Sequence, residues 1–267
     1  MRTLVVAEPG STGIGSLDTM LRLLETAAEC GADVWKPQWT SSPERMCDRR
    51  RAPEYLDSYR LLAYPVEWLK IFSRQCKRRE MKLACSVYLP EDVQAVSPYC
   101  QFIKIASFEN RDGAMLDALG DVVSRKLHHV IISTGMLDAS EIKPLVSYAD
   151  ILLACTSAYP APVDAMNLLT IRQMRRDCGG HCRIGLSDHS RQLITGAVAV
   201  GVGAEVVETH YRLNDTPPTN RDYEVALSPG EFTQYVQNVR LAERLMGNAM
   251  KRQHPCEESL MRYRVRS

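Results

Sequence analysis

Short apolar runs recur along this 267-residue chain and constrain its fold more than any other feature of the sequence. Most of them lack the apolar–polar alternation of a half-exposed strand, which is typical of parallel strands buried on both faces. The eight runs are TLVVA (3–7), DVWKPQ (33–38), KLACSV (82–87), FIKIA (102–106), HVIIST (129–134), ILLAC (151–155), RIGLS (183–187) and EVVETH (205–210). Strands of this kind that alternate with helices predict an α/β fold. We expect a (β/α)8 TIM barrel, with an open doubly wound sheet as the alternative.

Helical segments lie between the runs and carry recognisable end signals. One segment begins after Ser16, a suitable N-cap, and stops at Gly31. Another begins with the capping-box pair Ser228 and Glu231 and ends at Gly247. We therefore predict a single domain, with the barrel over residues 1–250 and a basic tail or linker over 251–267.

Composition excludes several classes of partner. A formal net charge of +1 supplies no field that would draw the chain onto nucleic acid or an anionic membrane. The apolar runs are too short to span a bilayer, and the N-terminal run falls short of a signal-peptide core. The nine cysteines lie mostly in apolar patterns, which favours reduced thiols, and CGGHC (178–182) is better explained as a turn than as half a metal site. We expect a cytoplasmic protein with no nucleic-acid or membrane partner.

Polar and ionisable residues follow the apolar runs, where a barrel carries its active site. They are Glu8, Lys36, Gln38, Ser86, Lys104, Ser107, Glu109, Ser133, Ser157, Tyr159, Ser187, His189, Glu208 and His210. Burying lysine and histidine costs too much free energy unless each has an anionic or metal partner. The pattern therefore predicts a ligand at this end of the barrel.

Two kinds of ligand fit these residue types. Lys36 and Lys104 alternate within their strands so that they point inward, and the serine hydroxyls could cradle an oxyanion or could simply satisfy loop backbone. His189 and His210 end adjacent strands and, with Glu109 across the barrel, would supply two imidazoles and a carboxylate to a divalent metal.

Other reaction types fit less well. A serine hydrolase needs a G-x-S-x-G turn, which is absent around Ser187, and successive side chains in an extended SDH segment face opposite ways. An inward lysine such as Lys104 or Lys36 would suit a Schiff-base aldolase. That chemistry leaves the two histidines and the second lysine unexplained.

Several motifs, in order along the chain from about residue 5 to the C-terminus, resemble those of the N-acetylneuraminate (sialic acid) synthase family and its legionaminate, pseudaminate and spore-coat-polysaccharide relatives. GADVWKPQ is similar to G-A-D-x-x-K-F-Q, FIKIASFEN to F-K-I-x-S-G-E and IISTGM to I-L-S-T-G-M. CTSAYPAP is similar to C-T-S-x-Y-P-A-P, IGLSDHS to G-Y-S-D-H-T and EVVETHYRL to V-I-E-K-H-F-T-L.

This resemblance implies a barrel that condenses phosphoenolpyruvate with an aldehyde acceptor, an open-chain N-acyl amino sugar such as N-acetylmannosamine, with Mn²⁺ or Mg²⁺ as cofactor. The enol carbon would attack the metal-polarised aldehyde, water would add to the resulting cation, and phosphate would leave by C–O cleavage. The product is a 2-keto-3-deoxy sugar acid. The resemblance also implies a homodimer.

Carried over position by position, the resemblance implies specific roles. His189 and His210 would bind the metal, with Glu109 close by. The phosphoenolpyruvate site would comprise Lys36, Ser86, Lys104, Ser107, Ser133, Ser157 and Ser187. Glu8, Gln38, Tyr159 and Asp222 would face the sugar. Of all these residues, Glu8, Lys104, Glu109 and His189 would be catalytic.

Departures from the family pattern fall mainly on the sugar side. The family's N-H-N-G is replaced by TGIG (12–15), the aromatic of K-F-Q by Pro37, the glycine of S-G-E by Phe108, and G-P-D by TNRD, which ends at Asp222. We also expect this chain to lack the antifreeze-like C-terminal domain that covers the partner's barrel in most members. A different or smaller acceptor, or a separate lid polypeptide, would explain these changes. The alternative is a barrel that has lost turnover and binds a ligand or partner.

Overall fold

A closed parallel sheet forms the centre of the protein, as seen in a computed structural model that describes residues 2–124 and 128–265. Within those residues the strands are β1 (Leu4–Glu8), β2 (Val34–Trp35), β3 (Gln38–Trp39), β4 (Lys82–Val87), β5 (Phe102–Ile105), β6 (His129–Ser133), β7 (Ile151–Cys155), β8 (Arg183–Asp188) and β9 (Val206–His210). Each pairs in parallel with its neighbours, β9 pairs with β1, and β2 pairs with both β1 and β4, which closes the barrel.

The second strand of the barrel is interrupted and consists of two short pieces, β2 and β3. Pro37 lies at the break, and its ring nitrogen has no hydrogen to donate to a strand ladder. Pairing nonetheless continues across it, because the Lys36 N–H donates to the Ala7 carbonyl over 2.9 Å and the Ser86 N–H donates to the Pro37 carbonyl over 3.0 Å. The two pieces act as one strand. The prediction of a single-domain, eight-stranded (β/α)8 barrel is thus confirmed, and the open sheet is excluded.

Helices surround the sheet. They are α1 (Leu17–Glu29), α2 (Pro43–Arg50), α3 (Leu56–Arg60), α4 (Trp68–Arg78), α5 (Pro90–Val96), α6 (Gly113–Ser124), α7 (Ala139–Ile142), α8 (Thr170–Asp177), α9 (Thr195–Gly201) and α10 (Pro229–Met246). The predicted end signals are present: the Ser16 hydroxyl accepts from the Thr19 N–H, Ser228 and Glu231 form a capping box, and α10 stops at Gly247. A cap of this kind contributes about 1 kcal/mol to helix stability.

The barrel interior changes from apolar to polar along the strands. At the amino ends it is filled by a cluster of Val6, Val34, Ala84, Phe102, Ile131, Ile151, Leu153 and Val206. Because alternate residues of a strand face the same side, the next inward position of each strand is two residues further on. Those positions include Glu8, Lys36, Ser86, Lys104, Ser133, Ser187 and Glu208. An apolar floor thus supports a polar layer at the carboxyl ends.

Gly185 is required in this interior for steric reasons. A Cβ at this position of β8 would lie 2.3 Å from the Val206 carbonyl oxygen and 2.7 Å from Leu153 Cδ2. The absence of a side chain therefore lets β8 and β9 meet above the apolar floor.

The larger core lies between the sheet and the helices and includes hydrogen-bonded aromatic residues. Trp35 packs edge-on against Phe72 at 5.0 Å between ring centroids. The Trp35 indole donates to the Tyr211 hydroxyl over 2.8 Å, and that hydroxyl donates to the Leu23 carbonyl over 2.6 Å. These bonds satisfy the polar atoms of two fully buried rings.

Two features lie outside the core. Pro255–Tyr263 forms a largely exposed 3-10 helix within the predicted tail, and the predicted domain limit at residue 250 stays a prediction. Across residues 2–124 and 128–265, no helix has the length and apolar character that a membrane crossing requires.

Candidate active site

A polar chamber, here called the inner chamber, lies at the carboxyl ends of the strands. It is lined by Glu8, Lys36, Gln38, Ser86, Tyr88, Lys104, Ala106, Ser107, Ser133, Cys155, Tyr159, Ser187, His189, Glu208 and His210. Every strand position of the barrel contributes, directly or from the loop that follows it. Six of the seven predicted phosphoenolpyruvate-binding residues are in this set, and Ser157 lies beside it.

Two buried lysines and two buried carboxylates form a connected network in the inner chamber. Lys36 is ion-paired with Glu8, and its Nζ lies 2.7 Å from Ser86 Oγ and 3.6 Å from Glu208 Oε2. Lys104 Nζ lies 3.0 Å from Glu208 Oε1. Glu208 therefore sits between both lysines, and the charges of the four groups balance.

The same network shifts the pKa values of its members. Burial opposes ionisation of Glu208, but Lys104 and Lys36 outweigh it and lower the Glu208 pKa to about 2. Burial, assisted by the charge of Lys104, lowers the pKa of Lys36 to about 7 despite the opposing effect of Glu208. The chamber thus holds a firmly ionised carboxylate and a lysine that can lose its proton near neutral pH.

Serine hydroxyls complete the wall of the chamber. Ser187 donates to Glu208 over 3.0 Å, and Ser133 Oγ is buried without a hydrogen-bond partner among the described residues. A Cβ at Gly135 would lie 2.2 Å from Ser157 Oγ and 2.6 Å from Ser107 Oγ, so these two hydroxyls converge where Gly135 leaves space. Converging hydroxyls beside lysines suit an oxyanion such as phosphate.

His189 and His210 lie side by side at the top of the chamber, with 5.6 Å between ring centroids. His189 Nδ1 is 2.9 Å from the Thr156 carbonyl, so Nδ1 carries a proton, and Nε2 is the nitrogen that the neutral ring would offer to a metal. Burial, together with the charges of His189 and Lys36, lowers the His210 pKa to about 4 against the opposing effect of Asp222. His210 Nδ1 is buried and has no hydrogen-bond partner in the part of the chain that the structure describes. Both rings therefore offer a nitrogen of the kind that divalent metals bind.

Glu109, the third predicted metal ligand, is ion-paired with Arg50. Its Oε1 accepts from Arg50 Nη2 over 2.6 Å and from Arg50 Nε over 2.8 Å. In the part of the chain that the structure describes, no three His, Cys, Asp or Glu side chains converge to hold a metal ion. The structure thus does not bring His189, His210 and Glu109 together as the predicted metal ligands. The two imidazoles alone fit a metal whose remaining ligands would be water and substrate oxygens.

Asp188 supports the histidine turn from the opposite face of β8. Its Oδ1 accepts from the Ser190 N–H over 2.8 Å and from the Ser190 hydroxyl over 2.7 Å. The Tyr235 hydroxyl of α10 donates to its Oδ2 over 3.1 Å. Asp188 therefore fixes the turn that carries His189 and does not enter the chamber.

A wider space, here called the outer chamber, opens above the inner one and has a volume of about 440 Å³. Gln38, Tyr88, Ala106, Tyr159 and His210 line both, so the two chambers are continuous. The outer chamber is also lined by Ser11, Met46, Arg50, Tyr55, Ser58, Tyr59, Leu62, Phe108, Ser157, Ala158, Arg221 and Asp222.

The predicted sugar-facing residues lie at the junction of the chambers or above it. The Gln38 amide donates to Glu8 Oε1 over 3.0 Å, which links the second strand to the first. The Tyr159 ring lies 4.2 Å from the His189 ring, centroid to centroid. Asp222 accepts from the Ser11 N–H over 2.7 Å. Gln38, Tyr159 and Asp222 line the outer chamber together with His210, while Glu8 lies deeper, beside Lys36.

Several site residues had no predicted role. The sequence identified Glu208 only as an ionisable residue in the last strand. Its position two residues before His210 places both side chains on the same, inward face of the strand, and this spacing could have predicted a site role for Glu208. Cys155 ends β7, with its thiol 3.4 Å from Ser107 Oγ and 3.9 Å from His189 Nδ1. Arg50 and Arg221 come from connecting segments between strands, where no sequence pattern marks inward side chains.

Known proteins share both the sequence pattern and the fold of this chain. The family model described as NeuB family matches residues 23–251. Pseudaminic acid synthase of Campylobacter jejuni is 27% identical over 92% of this chain and 76% of its own length. Human N-acetylneuraminate-9-phosphate synthase is 28% identical over 95% of this chain and 74% of its own length. A crystal structure of the N-acetylneuraminic acid synthetase of Leptospira borgpetersenii has the same fold, with a TM-score of 0.86 and 24% identity over 98% of this chain and 91% of that one.

Proposed function

This chain belongs to the NeuB family, and from that premise we propose that it condenses phosphoenolpyruvate with the aldehyde of an N-acyl amino sugar or aldose. It is an enzyme of the sialic acid synthase type, and the products would be a 2-keto-3-deoxy sugar acid and phosphate. The proposed cofactor is Mn²⁺ or Mg²⁺.

The inner chamber is the observation that carries this proposal. Lys36 and Lys104 supply positive charge, Ser107 and Ser157 present hydroxyls around Gly135, and Ser133 lines the same chamber. A small dianion or trianion with phosphate and carboxylate groups matches this arrangement of donors. The adjoining outer chamber of about 440 Å³ is large enough for a sugar.

The residues of the chain would act mainly by binding and orientation. The ammonium groups of Lys36 and Lys104 would hold the anionic ends of phosphoenolpyruvate and stabilise the leaving phosphate. Glu8 and Gln38, hydrogen-bonded to each other, would orient the acceptor at the junction of the chambers. A divalent cation held by His189 and His210 would supply Lewis-acid polarisation of the aldehyde oxygen.

The test is phosphate release from phosphoenolpyruvate across a panel of aldoses and N-acyl hexosamines, with and without Mn²⁺. We expect release with at least one acceptor, and a fall of roughly a hundredfold or more in His189→Ala and His210→Ala, since both imidazoles would hold the metal. His129→Ala, an exposed histidine at the other end of the barrel, is the matched control. Release that is equally fast without metal and in all three variants would contradict the proposed cofactor site.

Two alternatives have specific support. Thr12 of the TGIG segment donates its hydroxyl to the Pro9 carbonyl over 2.6 Å and so presents no acid or base to the chambers, which favours a barrel that binds a ligand without turnover. Phosphoenolpyruvate binding without phosphate release from any acceptor would support it. The lowered pKa of Lys36 suits a Schiff-base aldolase, for which borohydride should trap a lysine adduct.

We further propose that a second polypeptide covers the chamber mouth, in the first instance a second copy of this chain. Four exposed apolar side chains follow four consecutive strands at this end of the barrel: Phe108, Met136, Tyr159 and Ile194. An apolar rim of this kind is typical of a protein–protein interface. A separate lid polypeptide is the alternative occupant.

A further inference from the structure

Arg221 is held at the rim of the outer chamber by its two neighbours in sequence. The Asn220 amide donates to the Ser11 carbonyl over 3.0 Å, and Asp222 accepts from the Ser11 N–H over 2.7 Å. These bonds tie the segment to the 3-10 helix Gly10–Gly13 at the mouth of the barrel. The backbone position of Arg221 is therefore fixed although its side chain is exposed.

The guanidinium group of Arg221 rests on aromatic rings. Its Cζ lies 4.1 Å from the centroid of Tyr55 and 5.8 Å from that of Tyr59. Both tyrosines line the outer chamber with Arg221. Stacking on a ring face holds the guanidinium plane while leaving its N–H edge free, which is the edge that binds carboxylate or phosphate with two parallel hydrogen bonds.

Within residues 2–124 and 128–265, no acidic side chain neutralises Arg221. Among the residues that the structure describes, no carboxylate oxygen lies within the 4.0 Å ion-pair distance of its guanidinium group. Asp222 is turned toward the Ser11 N–H, and Glu109 is taken by Arg50, the other guanidinium of the outer chamber. Arg221 is thus the uncommitted positive charge of this chamber.

We propose that Arg221 determines acceptor specificity by binding an anionic group, a phosphate monoester or a carboxylate, at the end of the sugar remote from its aldehyde. This inference rests on the proposed function and names the substrate class of the same site. The outer chamber extends from His210 and Tyr159, beside the inner chamber, to Tyr55, Ser58 and Arg221 at its rim. An acceptor whose aldehyde meets the histidines therefore directs its other end toward Arg221.

The anions of phosphoenolpyruvate are not what Arg221 would bind. Those groups match Lys36 and Lys104 in the inner chamber, whose lining does not include Arg221. Loss of Arg221 should consequently change the KM of the acceptor and leave the KM of phosphoenolpyruvate unchanged.

The experiment compares three acceptors with one skeleton: N-acetylmannosamine, its 6-phosphate and the corresponding 6-carboxylate. With Mn²⁺ and saturating phosphoenolpyruvate, the wild-type protein should show a lower KM for one of the charged acceptors than for the neutral one, and the preferred anion identifies the group. In Arg221→Gln that KM should rise roughly ten- to a hundredfold, because a charge-assisted bidentate contact is lost. The KM of the neutral acceptor should not change.

Tyr55 provides a matched pair of variants. Tyr55→Leu removes the ring under the guanidinium and should raise the same KM, whereas Tyr55→Phe keeps the ring and should raise that KM far less. Equal KM values for charged and neutral acceptors in the wild type, or an equal effect of Arg221→Gln on all three acceptors, would overturn the proposal.

Calorimetric titration of the three sugars separates this proposal from the proposed function. If no acceptor releases phosphate, the proposed function fails, but Arg221 can still be tested by binding alone. Tighter binding of a charged sugar to wild type than to Arg221→Gln would then support the anion site, and equal binding would refute it.

Discussion

Glu208 shows how a single buried residue organises the candidate site. Its carboxylate contacts Lys104, lies 3.6 Å from Lys36 and accepts a hydrogen bond from Ser187. Without it, two lysine charges would face each other in a space from which water is largely excluded. Removing one partner of a buried ion pair costs more free energy than the pair itself contributes.

We therefore expect Glu208→Gln to lower the free energy of unfolding by about 3 kcal/mol at pH 7, measured by urea denaturation. Its pKa of about 2 lies below the ordinary value of 4.5, so the carboxylate stabilises the fold above pH 4.5, and this contribution is lost as the pH falls toward 2. The variant should accordingly show a smaller pH dependence of stability in that window. Glu224→Gln, at an exposed position, is the control, and equal losses in both variants would argue against the ion-pair network.

Residue identity alone could not settle every role. Lys36, Lys104 and five serines were predicted from strand-end position and family motif, and all but Ser157 line the inner chamber. Glu109 was predicted beside the histidines, whereas the structure pairs it with Arg50. Arg50 ends α2, more than fifty positions away along the chain, so no local pattern could indicate that contact.

At the scale of elements, the strands were predictable because burial on both faces leaves an unbroken apolar run. KLACSV and ILLAC match β4 and β7 residue for residue, and the other runs agree within about a residue, apart from the break at Pro37. The division into β2 and β3 follows from proline chemistry, since the ring removes a donor from a central strand.

Gly185, where β8 and β9 lie close together, leads to a prediction about stability. Gly185→Ala would place a methyl group 2.3 Å from a backbone carbonyl, which cannot move aside as a flexible side chain can. We expect a loss of roughly 1–3 kcal/mol in the free energy of unfolding. Gly201→Ala in α9, where a Cβ meets no heavy atom of the described residues within 4 Å, should leave stability unchanged or raise it slightly. A tolerated Gly185→Ala would mean that β8 and β9 can separate freely.

At the scale of the whole molecule, the barrel joins two chambers of different chemistry. The inner one is charged and built mainly on the strands, while the outer one combines aromatic and polar side chains and is built mainly on the connecting segments. Three of the four departures from the family pattern, TGIG, Phe108 and TNRD, lie in connecting segments. The fourth, Pro37, lies in the second strand of the barrel, between β2 and β3.

The exposed apolar rim leads to a prediction about assembly. If a second copy covers the chamber mouth, light scattering should report twice the chain mass of 30.0 kDa. The double variant Met136→Glu with Ile194→Glu should return the single-chain mass, because two charges would be buried in the interface. Leu245→Glu, an exposed apolar residue at the other end of the barrel, should leave the mass unchanged. A wild-type protein of single-chain mass would favour the separate lid.

The sequence by itself determined the barrel, the order of its strands and the polar end at which the site lies, since these depend on local periodicity and on residues a few positions apart. The tertiary structure decided which charges meet: Glu208 with both lysines, Arg50 with Glu109, and Arg221 with Tyr55. Such pairings depend on closure of the sheet and on the paths of the connecting segments, which bring residues from distant parts of the chain within a few ångströms. Local sequence carries no record of those distances.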